Sequence, residues 1–96
     1  MTFGLRLVRI DGDSMAPRLP HGTFALFRRT SWIEPNDIVL VQHPVFGRIV
    51  KKVVSVSSQG LTLAGLSSRS VSSLSLGPVE HRAVQGKLVM ELKEAA

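Results

Sequence analysis

Asp37-Ile38-Val39-Leu40-Val41-Gln42, then His43-Pro44-Val45-Phe46-Gly47, then Arg48-Ile49-Val50-Lys51-Lys52-Val53-Val54-Ser55-Val56: two runs rich in β-branched residues flank a short segment that holds Pro and Gly, the composition of a β-hairpin. β-branched side chains pack well on a pleated, half-buried surface and lose rotamer freedom in a helix. Working outward, Leu5 to Ile10 predicts a strand that ends at the turn-prone Asp11-Gly12-Asp13, and Thr23 to Phe27 predicts another after the His21-Gly22 turn. Pro17 and Pro20 exclude a long helix between them. Pro35-Asn36 precedes the hairpin, and Asn is the best residue after Gly for a left-handed backbone position. Beyond the hairpin, Ser57-Ser58-Gln59-Gly60 turns the chain into a strand at Leu61 to Ala64. A Ser-rich loop follows over Gly65 to Ser75, then one helical turn within Pro78 to Val84 and a last strand from Leu88 to Leu92. The expected fold is mainly β: a small twisted antiparallel sheet or a partly closed β-barrel, with residues 1–96 as a single domain.

Composition sets the outer limits. The chain has 96 residues, 44% of them hydrophobic, which is enough for one core and too apolar for a disordered polymer. The absence of Cys excludes disulfides, a thiolate nucleophile and thiolate metal ligands. A formal charge of +5 raises the question of an anionic partner, but the Lys and Arg residues are scattered and there is no Tyr to interleave with them. No nucleic acid is expected as a partner, and a nucleic-acid-binding barrel ranks last among the readings. No stretch approaches the ~18 consecutive apolar residues of a membrane span. Arg6 and Arg9 break the apolar run that a signal peptide needs.

Two segments carry chemistry. In Gly12-Asp13-Ser14-Met15-Ala16-Pro17, the serine follows the first turn directly. A turn bounded by Gly12 and Pro17 exposes a hydroxyl with its own N–H pointing the same way, as an oxyanion site requires. The plain alternative is that Asp13 and Ser14 only satisfy turn amides. A serine hydroxyl needs a base to take its proton, and a lysine serves only if its amine is neutral near pH 7. Burial must therefore lower its pKa by about three units from ~10.4. Lys51 and Lys52 lie in a valine-rich strand, where alternation lets only one face the core side. Val50, Val54 and Val56 share the face of Lys52, so periodicity favours Lys52. The competing reading exposes both lysines on an edge strand, where charge blunts aggregation.

Taken in order, Gly12-Asp13-Ser14-Met15-Ala16-Pro17, Ile49-Val50-Lys51-Lys52-Val53 and Leu76-Gly77-Pro78-Val79 leading to Gly86-Lys87 resemble the peptidases of the signal peptidase I type, which cut with a serine and a lysine. Among them the chain looks most like the small soluble maturation proteases of nickel-type superoxide dismutase, and self-cleaving repressor domains are related. The resemblance implies Ser14 as nucleophile with its amide in the oxyanion hole, framed by Gly12, Asp13, Met15 and Pro17. It implies Lys51 as base, because the family's strand reads apolar-Lys-Arg-Val and Lys52 takes the arginine position. Lys51 is chosen, since a functional site is where a polar residue interrupts a pattern. Ser70 matches the hydroxyl that orients the amine. Some relatives carry a second oxyanion hydroxyl where this chain has Gly12, and the segment Gly65-Leu66-Ser67 with Ser70-Val71-Ser72-Ser73-Leu74 lacks the family's two acidic residues and arginine.

The implied activity is cleavage of a leader or signal-type peptide through an acyl-enzyme, without a cofactor, on a protein or peptide substrate lying extended at the cut site. Membrane-bound relatives carry an anchoring helix before the serine, whereas only Met1 to Asp13 precede Ser14 here. The expected location is cytoplasmic or peripheral to the membrane, with peripheral membrane contact as a further partner. The same shortness argues against self-cleavage upstream of the serine. The alternative from another class is a catalytically inactive β module that binds a peptide or protein partner in the same groove, which fits the missing Asp and Arg residues. His21, His43 and His81 read as surface histidines, with neither triad nor metal spacing around them. Trp32 and the Phe residues read as core or rim packing.

Overall fold

The apolar runs become strands. The structure, a computed structural model, describes residues 4–12, 15–65 and 78–92. Its strands are β1 (Leu5–Arg9), β2 (Phe24–Arg28), β3 (Ile38–His43), β4 (Gly47–Ser57), β5 (Gly60–Ala64) and β6 (Val84–Leu92), with a short 3-10 turn at His81–Ala83 before β6. They form one antiparallel sheet in the order β1-β2-β6-β3-β4-β5. The sheet is open, with β1 and β5 as its edges, so of the two expected forms it is the sheet and not the partly closed barrel. Among the described residues no helix is long and apolar enough to cross a membrane.

β3 holds the architecture together, because both of its faces are buried. Ile38 and Leu40 join Val8, Ile10, Met15, Leu19, Ala25 and Phe27 in one core cluster. Val39 and Val41, pointing the other way as alternation demands, join Val53, Leu61, Leu63 and Val79 in a second. Full burial of side chains such as Phe27 and Leu40 stabilises by about 1.5–3 kcal/mol each. The hairpin pairs Ile38 with Lys52 through to His43 with Gly47. Its approach turn is tied down as the sequence suggests: Asn36 takes φ 77°, and its N–H donates to the Val53 carbonyl at 2.8 Å. The Asp37 carboxylate accepts the Glu34 N–H at 2.8 Å and pairs with Lys87 of β6 at 3.1 Å.

Two sequence expectations need correction. His43 is not a surface histidine: it is 5% exposed, and its Nδ1 accepts the N–H groups of Val45 and Phe46 at 3.0 and 3.2 Å, closing the hairpin turn from within. The last strand begins at Val84 rather than Leu88. Gly86 sits inside it because a Cβ there would stand 2.9 Å from Phe27 Cβ and 3.3 Å from Arg28 backbone atoms. A strand glycine of this kind marks a close backbone approach, which propensity alone reads as a break. Since the nearest atom is the first of a locked core side chain, Gly86→Ala is expected to destabilise the fold by about 1–3 kcal/mol. Urea unfolding followed by circular dichroism measures it, and an unchanged midpoint would contradict the close packing of β6 on β2.

Candidate active site

The segment around the serine is anchored on both sides. Before it, Ile10 is buried and exchanges backbone hydrogen bonds with the next strand's approach, its N–H to the Thr23 carbonyl and its carbonyl from the Gly22 N–H, both 2.8 Å. Gly12 takes φ 83°, a left-handed value that L side chains rarely adopt, so the turn requires glycine there. Its N–H donates to His21 Nδ1 at 2.9 Å, which commits that amide to the turn. After the serine, Met15 and Leu19 are fully buried in the first core, and the Leu19 N–H donates to the Met15 carbonyl at 2.9 Å. Met15 is therefore the apolar plug that fastens this loop to the sheet, with Pro17 exposed at its outer side. Asp13, Ser14 and Ser70 lie outside the described residues.

The two lysines of β4 part company. Lys51 is 4% exposed, whereas Lys52 is half-buried and borders a different hollow with Arg18, Asn36, Asp37, Ile38 and Leu88. Lys51 lies opposite Val39 across the hairpin, and its strand neighbours on the same face are half-buried Ile49 and fully buried Val53. No hydrogen bond or ion pair to its amine is formed among the described residues. Burial therefore pushes the Lys51 amine below its usual 10.5, because the charged form loses water. The periodicity that favoured Lys52 fails for a physical reason. The β4–β5 register shifts between Val53 and Ser55, a bulge that interrupts alternation, and Val54 and Val56 beyond it are exposed.

Lys51 also lines a cavity of about 230 Å³, whose wall includes Ile10, Asp11, Met15, Phe46 and Arg48. Four consecutive β4 residues, Arg48 to Lys51, line it, so the cavity meets the strand edge-on rather than on one face. That edge is open: β5 pairs with β4 only from Lys52 onward, and among the described residues Arg48 to Lys51 have no partner on the side away from β3. The cavity thus combines a half-open strand edge, an apolar floor, a desolvated amine and the loop that carries the serine motif. Sequence reasoning did not place Arg48 in this cavity or His21 on the Gly12 amide, and it read Phe46 only as core or rim packing. The hairpin tip folds back toward the serine loop only through tertiary contacts, and the Gly12–His21 bond spans a turn whose geometry no local pattern announces.

Residues 3–89 match the family model described as Peptidase S24-like. The chain belongs to the Peptidase S24-like family. Searches among curated proteins and among solved structures returned no match. Membership makes this S24-like chain a peptidase-type domain or a related self-cleaving one. Asp11 and Met15 line the same cavity as the buried Lys51.

Buried charge gives the S24-like domain a testable pH signature. Below its lowered pKa the folded protein carries a desolvated ammonium, which destabilises it. Between that pKa and 10.5 the unfolded chain binds more protons than the folded one, so stability from this group rises with pH. Lys51→Met is therefore expected to raise Tm at neutral and mildly acidic pH, with the gain shrinking as the pH approaches 10.5. A gain that does not depend on pH would contradict desolvation as its cause.

Proposed function

We propose that this chain is a serine endopeptidase with a Ser14/Lys51 dyad, which removes a leader or signal-type peptide from a protein substrate in the manner of the small maturation proteases it resembles. The observation that carries the reading is Lys51: a buried amine with lowered pKa on the wall of a cavity also lined by Met15, the residue that follows Ser14 in the sequence. In the reaction, neutral Lys51 Nζ takes the proton from Ser14 Oγ as the oxygen attacks the scissile carbonyl carbon. The Ser14 N–H holds the oxyanion. The Lys51 ammonium then returns the proton to the leaving amine, the C–N bond breaks, and an acyl-enzyme remains. Lys51, neutral again, activates water to hydrolyse the ester.

The open edge of Arg48 to Lys51 supports an extended substrate that adds to the sheet as a strand and brings its carbonyl to the serine loop. The limited size of the cavity, with Phe46 at its rim, favours small side chains next to the cut.

A library of N-terminal extension peptides, read by mass spectrometry, tests the dyad. Cleavage by the wild type is expected to fall by a factor of about 10³ or more in Ser14→Ala and in Lys51→Met, and to persist in Lys52→Met. Because the base acts only when deprotonated, kcat/KM is expected to rise with pH and level off with an apparent pKa below 10.5. Loss of cleavage in Lys52→Met with retention in Lys51→Met would overturn the assignment. Binding without cleavage by the wild type would favour the inactive peptide-binding module.

A further inference from the structure

On the side of β1, β2 and β6 that faces away from the first core, the sheet carries an apolar strip. Val8, Ala25 and Phe27 point inward, so Leu5 and Leu7 of β1 and Phe24 and Leu26 of β2 point outward by alternation. The register puts Leu7 beside Leu26, Leu26 beside Met90 and Phe24 beside Leu92. A shift between Leu26 and Phe27 allows β6 to turn Leu88 inward and Met90 and Leu92 outward. Leu7 is 58% exposed, Met90 54% and Leu92 53%. These residues form a contiguous exposed apolar strip three strands wide, about 10 Å across.

Cations border the strip. Arg28 continues it at one end of β2, beside Leu5 on β1, and Arg29 and Arg6 share a small hollow with Leu5. All three arginines are exposed. We propose that this face docks on an anionic membrane surface, with Leu7, Phe24, Met90 and Leu92 among the upper acyl segments and Arg28 and Arg29 on the headgroup phosphates. Charge decides between lipid and a second copy of the chain. Anionic lipid complements both the arginines at this end of the strip and the net charge of +5, whereas a second copy would bring another +5 to the same face. Arg9, at the far end of β1, lines the cavity that Lys51 also lines, so docking would hold that cavity close to the membrane surface. The inference does not depend on the peptidase reading.

Co-sedimentation with vesicles of phosphatidylcholine, with and without phosphatidylglycerol, tests it on the full chain. Binding is expected only to the anionic vesicles and is expected to weaken with salt. Arg28→Gln with Arg29→Gln should reduce it about fivefold per charge removed, and Leu7→Ser about tenfold. Absence of binding, or equal binding by both variants, would overturn the proposal. So would light scattering that shows a dimer which Leu7→Ser dissociates while the vesicles bind nothing.

Discussion

β3 is the constraint on which the molecule depends. A strand buried on both faces must be apolar along its whole length, and Ile38-Val39-Leu40-Val41 supplies this. It places one core under β1 and β2 and the other under β4 and β5. A polar side chain on β4 opposite the middle of β3, on the same face as Ile49 and Val53 of the second core, is then desolvated by architecture. Lys51, opposite Val39, occupies that position, and its burial lowers its pKa; in the proposed dyad that destabilisation provides a neutral amine. Natural folds give up stability at functional sites in this way.

Edges matter as much as cores. β4 is longer than β5, so its first half is left unpaired among the described residues, and the cavity forms where this open edge meets the loop fastened by Met15. Unpaired strand edges invite added strands. The serine loop has its own internal logic: Gly12 supplies a left-handed turn, His21 takes its amide, and Met15 and Leu19 hold the far side.

Much of the fold was legible in the sequence, because β-branched runs between Gly, Pro and Asn punctuation specify strands locally. Asn36 illustrates this, adopting the left-handed conformation that its residue type suggests. Legibility failed where tertiary contact overrides local pattern. Gly86 reads as a break but lies inside β6, since its missing side chain makes room for Phe27. His43 reads as surface but is buried, since its ring nitrogen satisfies two turn amides. For the site, the family resemblance pointed to Lys51 while alternation pointed to Lys52, and the burial falls on Lys51 because the bulge after Val53 breaks the alternation on which the other count relied. Trp32, read as core or rim, stands exposed with its indole N–H on Glu34 at 2.9 Å.

The account turns on whether Lys51 gives up its proton more readily than an ordinary lysine. Following the ε-carbon resonance of Lys51 by NMR across a pH titration of the intact protein, with Lys51→Met to assign the signal, measures this directly. A midpoint clearly below 10.5 is expected for Lys51. A midpoint at or above 10.5 would contradict it, leaving a buried ammonium that cannot act as a base near neutral pH.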